Sequence, residues 1–228
     1  MPEAVAISEV MTAAAGGEGA PALTSPLPAA LAAPALLRGM EAAQVTLSEA
    51  PMAALWQVTA WPEALAAAGT AAAASVGVGT APGPGQALTA GLGAVLRTEP
   101  LRFWVVVEDG PVRSPEPGEA GTVLDLTQAR WRVRLSGPGR VALMARLGPL
   151  DWRAQAFPVG RVASTEIGHV GVTVQAEPEA FALFLPRSFA EALAGLILET
   201  GQSLGIARGE GVAGRALAGD RLAPAHKP

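Results

Sequence analysis

Residues 130–135 decide the fold, and they read Arg-Trp-Arg-Val-Arg-Leu. Large apolar side chains alternate strictly with arginines over the whole stretch. Because successive side chains of a β-strand point to opposite faces, this alternation predicts a strand with one face in a core. The apolar face is predicted to be buried, and it carries Trp131, Val133 and Leu135.

The opposite face of this strand carries Arg130, Arg132 and Arg134. One interpretation is a solvated sheet face. The other is a patch that contacts a protein partner, because arginine forms bidentate ion pairs and is enriched at interfaces. A nucleic-acid surface is not expected, since the net charge is −4 and no basic aromatic platform accompanies the arginines.

The rest of the chain predicts further strands and three helices. The predicted strands are residues 44–48, 53–60, 74–79, 103–107, 122–126, 161–166, 170–175 and 180–185. The predicted helices are residues 62–68, 138–147 and 188–204. Strands and helices that alternate in this way predict an α+β fold, in which helices pack on one face of a mixed or antiparallel sheet.

The last helix has the clearest signals. Ser188 with Glu191 three residues later predicts a capping box at its start, and Gly205 is suited to end it. One apolar stripe along this helix is predicted to pack on the sheet. The stripe consists of Phe189, Leu193, Leu196, Ile197 and Leu204.

The chain is predicted to have three parts. Residues 1–42 are rich in alanine and proline and have few large side chains, so we expect a flexible arm. Residues 43–206 are expected to form the α+β domain. Residues 207–228 contain several glycines and are expected to form a flexible tail.

Composition narrows the possible functions. The chain has 228 residues and no cysteine, which excludes disulfides, thiolate metal sites and a cysteine nucleophile. Three acidic residues precede the first arginine, Arg38, whereas a signal peptide has a basic start, so we expect a cytoplasmic protein. Residues 64–96 are uncharged, but their alanines, glycines and prolines do not suit a membrane span.

Five short motifs follow one another in the second half of the chain. They are Asp125-Leu126-Thr127, Arg134-Leu135-Ser136-Gly137-Pro138, Gly148-Pro149-Leu150-Asp151, Phe157-Pro158-Val159-Gly160 and Phe184-Leu185-Pro186-Arg187-Ser188-Phe189-Ala190-Glu191. In this order and with these gaps, the chain resembles the gamma subunit of heterotetrameric sarcosine oxidase. The resemblance is clear over residues 122–205 and weaker over residues 43–121.

The resemblance implies a function as well as a fold. That family's complex oxidises the N-methyl group of a secondary amine and binds FAD, FMN, NAD and tetrahydrofolate on its other subunits. Its gamma subunit is similar to a folate-binding domain of the aminomethyltransferase superfamily that has lost its site. The implied role is a non-catalytic subunit with no cofactor or metal of its own, in contact with flavin-bearing and other subunits. The alternative is a stand-alone folate-binding or aminomethyltransferase-like protein.

Asp151 is the residue on which that alternative depends. In the folate-dependent aminomethyltransferases that the chain resembles, an aspartate at a comparable place helps to activate the folate amine. The other interpretation is a turn or cap aspartate paired with a nearby arginine such as Arg153. His169, which lies between glycine and valine in a Gly-rich stretch, is expected to be a turn or strand-edge residue.

Overall fold

The computed structural model describes residues 43–50, 52–108 and 110–209. The strands are β1 (Val45–Glu49), β2 (Ala54–Ala60), β3 (Ala87–Ala90), β4 (Gly93–Glu99), β5 (Arg102–Val107), β6 (Gly121–Asp125), β7 (Arg130–Ser136), β8 (Val162–Ile167), β9 (Val170–Ala176), β10 (Ala180–Pro186) and β11 (Ile206–Arg208). The helices are α1 (Leu65–Ala74), α2 (Arg140–Leu147) and α3 (Ala190–Gly201). The predicted arm at 1–42, and the predicted tail from 210 onward, lie outside the described residues. β11 continues past the predicted domain end at residue 206.

The strands form two sheets. Sheet 1 has six strands in the order β11-β1-β7-β10-β9-β8, and sheet 2 has five in the order β3-β4-β5-β2-β6. Neighbouring strands are antiparallel, except that β1 and β11 run parallel. The α+β class with a mixed or antiparallel sheet is therefore confirmed, and its strands are divided between two sheets.

Each sheet has a helical layer on one face. On sheet 1, Leu143 of α2 and Leu193 and Ile197 of α3 share a core with Val133 and Leu183. On sheet 2, the alanines of α1 pack against a face that includes Val58, Phe103 and Val105. The small side chains of α1 allow a close approach to the sheet: a Cβ at Gly69 would lie 3.0 Å from Cζ of Phe103 in β5.

The two remaining sheet faces pack against each other. Leu55, Trp104 and Val106 of sheet 2 form one core cluster with Ala182 and Phe184 of sheet 1. The Trp104 and Phe184 rings meet edge to face with centroids 5.7 Å apart, a favourable arrangement for aromatic pairs. The order of layers is helix, sheet, sheet, helix, which leaves neither sheet with a fully solvated face.

Residues 74–79 are not a strand, contrary to the prediction. Helix α1 continues to Ala74, beyond the predicted end at residue 68, and a turn follows in which Gly77 has a φ of 74°. Val76 is nevertheless buried and belongs to the core beneath α1. The alanine run favours helix more strongly than the two valines after it favour strand.

The start of α3 also differs from the prediction. Ser188 lies in a short 3₁₀ turn, Arg187–Phe189, and Phe189 takes the N-cap position without a side-chain hydrogen bond, so there is no capping box. Phe189 is 48 % exposed, so it is not part of the packed stripe. Leu193 and Ile197 are buried, Leu196 and Leu204 pack partly against them, and Gly205 stands after the helix in the left-handed region.

Replacing Leu193 by alanine should destabilise the domain strongly. Leu193 is 2 % exposed, so truncation leaves a cavity beneath α3, which costs about 2–5 kcal/mol. Phe189→Ala, four residues earlier, is the control, and an exposed site of this kind should change stability by about 0.5 kcal/mol or less. Urea denaturation of both variants measures the difference. Equal losses would contradict the packing of α3 on sheet 1.

Candidate functional site

The arginine face of β7 points towards sheet 2. Arg132 and Arg134 stand opposite Phe184 and Ala182 of β10, and both of those residues lie in the layer between the sheets. Arg132 is only 3 % exposed. The interpretation of a solvated or partner-facing arginine stripe is therefore wrong for Arg132, because sheet 2 covers this face of β7.

Two carboxylates neutralise Arg132. Its Nη2 lies 2.6 Å from an Oε1 of Glu108, which follows β5 in sheet 2, and 2.9 Å from Oε1 of Glu177, in the turn between β9 and β10. Arg134 also donates to Glu177, through Nε and Nη2. The hydrogen bond from Arg134 to Glu177 is the main reason why the pKa of Arg134 lies above its usual value. The network joins the two sheets.

Replacing Glu177 by glutamine should weaken the fold. The change removes one of the two counter-charges of a buried guanidinium. Because Glu108 remains, the loss should be smaller than the cost of about 3–5 kcal/mol for a buried charge without any partner, but larger than that of an exposed pair. Arg102→Gln is the control, since its pair with Glu99 is nearly half exposed on both sides and such pairs contribute about 1 kcal/mol or less. Thermal and urea unfolding give the comparison. Equal effects of the two variants would show that the network does not stabilise the contact between the sheets.

A cleft of about 600 Å³ opens between the sheets beside this network. The two facing sheet surfaces are apolar near Leu55, Val106 and Ala182, where they touch, and polar further along. The polar part lines the cleft. Its side chains are Gln57, Thr98, Glu99, Arg102 and Trp104 from sheet 2 and Arg130, Ser164, Thr165, Glu166 and Thr173 from sheet 1, and Pro149, Gly171 and Val172 complete the wall.

Arg130 is the distinctive group of the cleft. Its guanidinium carbon lies 5.4 Å from the centroid of the Trp104 ring, within the range of a cation–π contact. The indole N–H of Trp104 donates to Oε1 of Gln57 at 3.2 Å, which fixes the ring. Burial lowers the pKa of Arg130, and its Nε is buried without a hydrogen-bond partner.

Two charged side chains among the described residues of the cleft have no ion-pair partner. Of its charged side chains, Glu99 and Arg102 form an ion pair at 2.7 Å, which leaves Arg130 and Glu166. His169 lies in the turn between β8 and β9 with a φ of 64°, where it borders a smaller cavity that shares Pro149 and Glu166 with the cleft. Within the described ranges no group of three or more histidine, cysteine, aspartate or glutamate residues is placed to hold a metal ion.

Asp151 does not line the cleft, although Pro149 does. Its carboxylate accepts hydrogen bonds from Nε and Nη2 of Arg153, at 2.9 and 2.6 Å, and from the Arg153 backbone N–H. The side-chain hydrogen bond from Arg153 is the main reason why the pKa of Asp151 falls to about 2. An efficient general base has a pKa near the working pH, so this geometry disfavours proton abstraction by Asp151.

Comparison with known proteins shows which of them this chain resembles. No protein-family model matches the chain. A curated relative, the sarcosine oxidase gamma subunit of an Arthrobacter species, is 32 % identical over 167 residues, which is 71 % of this chain and 82 % of the relative. The chain belongs to the family of sarcosine oxidase gamma subunits. The resemblance deduced from the motifs is confirmed.

Two solved structures share the fold of this gamma-family chain. One is a chain of a heterotetrameric sarcosine oxidase from Corynebacterium sp. U-96 in complex with pyrrole 2-carboxylate. The match covers 72 % of this chain and 87 % of the Corynebacterium chain, with a TM-score of 0.63 and 24 % identity. The glycine cleavage system aminomethyltransferase T from Bartonella henselae matches 73 % of the chain at a TM-score of 0.53 and 20 % identity. The chain spans about half of that enzyme, 48 %. In the described part of the chain, the helices are too short or too polar to cross a membrane.

Sequence reasoning found the arginines but not their surroundings. Glu177 is separated from Arg132 by 45 residues, and Trp104 comes from the other sheet, so local patterns contain no sign of either contact. The partner-interface prediction stays open for Arg130 and Arg134, which are partly exposed. The folate prediction for Asp151 also stays a prediction.

Replacing Asp151 by asparagine should change the turnover of the assembled complex by no more than a few-fold. Arg153→Gln breaks the same ion pair and keeps the carboxylate, so it is the matched control. Steady-state kinetics on both variants separates the two interpretations. A loss of about 100-fold or more in Asp151→Asn alone, as expected for an acid–base group, would favour the folate interpretation.

The same pair predicts a pH dependence. The folded-state pKa of Asp151 lies at about 2, below its ordinary value of 3.8. A depressed carboxylate pKa stabilises the fold above the unfolded-state pKa, and that contribution disappears as the pH falls through the folded-state pKa. The difference in stability between the unmodified chain and Asp151→Asn should therefore shrink between about pH 4 and pH 2. Urea unfolding at several pH values measures it, and a difference that is constant over this range contradicts the pairing.

Proposed function

We propose that the chain is the non-catalytic gamma subunit of a flavin-dependent complex that oxidatively demethylates an N-methyl amine or amino acid. The complex would transfer the released one-carbon unit to tetrahydrofolate. FAD, FMN, NAD and tetrahydrofolate would bind on partner subunits, and this chain would brace the flavin-bearing subunit in the cytoplasm. The observation that carries the proposal is the 32 % identity to a gamma subunit over 82 % of that protein.

The ion pairs formed by several of the acidic side chains support a structural role. Glu108 and Glu177 neutralise buried Arg132, and Glu99 is paired with Arg102. Asp151 is held as an ionised acceptor by Arg153. Carboxylates that are engaged in this way stabilise the fold and are poorly placed to exchange protons with a substrate.

Co-expression tests the proposal directly. The chain should co-purify in fixed stoichiometry with the flavin-bearing subunits, and all the flavin absorbance should follow those subunits. The chain purified alone should be colourless and should not oxidise sarcosine. Stoichiometric flavin on the single chain, or assembly-independent demethylation, would contradict the proposal.

A tetrahydrofolate titration of the single chain addresses the alternative. We expect no saturable heat of binding by calorimetry. Micromolar binding that Asp151→Asn abolishes and Arg153→Gln leaves intact would instead support a stand-alone folate protein. Because the two variants lose the same ion pair, a fold defect cannot produce that difference.

A further inference from the structure

Two residues that line the cleft, Arg130 and Thr98, each have a buried polar atom without a hydrogen-bond partner. These atoms are Nε of Arg130 and Oγ1 of Thr98. Buried polar atoms in folded proteins nearly always have a hydrogen-bond partner, so each unsatisfied one needs an explanation. Arg132, Arg134, Arg102 and Arg153 all have carboxylate partners, which sets Arg130 apart from them.

We propose that this cleft receives an aspartate or glutamate side chain from a flavin-bearing subunit, with Arg130 as the group that binds it. The inference rests on the proposed function, because it assumes assembly with such a subunit. It adds the place of contact and the chemistry of the partner.

A carboxylate fits the chemistry of this wall. A guanidinium is planar and presents paired N–H donors that match two carboxylate oxygens. Trp104 covers one face of the Arg130 guanidinium and is itself fixed by Gln57 and Phe184. Arg130 is thus held in one orientation before any ligand arrives, which reduces the entropy lost on binding.

Charge determines where in the cleft the carboxylate binds. Arg102 is already neutralised by Glu99, so Arg130 is the cation without a counter-charge among the described cleft residues. Glu166, on β8, lies three strands from β7 in the same sheet and would repel an acidic group. The incoming carboxylate should therefore lie against Arg130 and Trp104, and the neutral side chains of Ser164 and Thr173 would face the rest of the partner segment.

The cleft has the features of a contact surface more than of a substrate site. It lies open to solvent between two sheets, and its charged groups include no histidine. A relative of this chain belongs to a heterotetramer, so a subunit surface for this cleft to bind is expected. A carboxylate buried against a half-buried arginine would add specificity to such an interface and slow dissociation.

The test uses the full chain and the co-expressed flavin-bearing subunits, with dissociation constants measured by biolayer interferometry. Arg130→Gln should weaken assembly at least about tenfold, because it removes one partner of a desolvated charge pair. Arg130→Lys keeps the charge and loses the paired donors, so its effect should be intermediate. Glu166→Gln should leave the affinity unchanged or raise it.

Arg140→Gln is the matched control. Arg140 lies at the start of α2, does not line the cleft, and donates from its Nη1 to the Gly137 carbonyl at 3.1 Å. Its removal should change the dissociation constant by less than about threefold, as expected outside a hot spot. Circular dichroism melts of every variant separate weakened binding from a folding defect. If Arg130→Gln folds poorly, the other two variants decide. Weaker binding of Arg130→Lys, with unchanged or stronger binding of Glu166→Gln, supports the inference, and unchanged binding of Arg130→Lys contradicts it.

The outcomes separate this inference from the proposed function. If the chain assembles and neither Arg130 variant changes the affinity, the cleft inference is wrong and the proposed function stands. If the unmodified chain does not assemble with flavin-bearing subunits, both are wrong. A titration with glutarate tests a free ligand: Arg130-dependent binding of glutarate, together with unchanged assembly of Arg130→Gln, would overturn the partner-side-chain inference.

Discussion

The contact between the two sheets depends on the neutralisation of one buried guanidinium. Arg132 lies in the layer where the sheets meet, and an unpaired charge there would cost several kilocalories per mole. Glu108 comes from the end of β5 in sheet 2, and Glu177 from a turn in sheet 1. Glu108 reaches Arg132 only when β5 and β7 are in their observed positions, so this ion pair restricts how one sheet can slide over the other.

The sheets separate where their facing surfaces become polar. Apolar residues such as Leu55 and Phe184 close one part of the layer, because burying them removes apolar surface from water. Gln57, Thr98 and Thr173 on the continuing strands gain less from mutual burial and stay apart around the cleft. The contact between the sheets and the cleft therefore both follow from the order of apolar and polar residues along the same strands.

Local sequence patterns predicted the elements better than their surroundings. The alternation around Trp131 and Val133 correctly predicted β7 and its buried face, because that signal depends on strand geometry alone. The burial of Arg132 could not be predicted, since it depends on a second sheet and on Glu177, 45 residues away. The capping box at Ser188 was wrong for a similar reason: the chain leaves β10 in a 3₁₀ turn that moves the helix start to Ala190. The ordered motifs identified the family because related proteins share them. Recognising them does not require knowledge of which residues are in contact.

The chemistry of the cleft follows from which charges are already paired. A carboxylate with a pKa of about 2, such as Asp151, accepts hydrogen bonds but is a weak base at neutral pH. Arg130 has the opposite character, a fixed cation held on Trp104 with no carboxylate beside it. A rigid cation without a paired carboxylate can hold an anionic group in place. The unpaired carboxylate of the cleft, Glu166, lies three strands from β7 in the same sheet. This arrangement favours recognition of an anionic group at Arg130, so Arg130, not Asp151, is the residue whose loss should weaken the binding of a partner first.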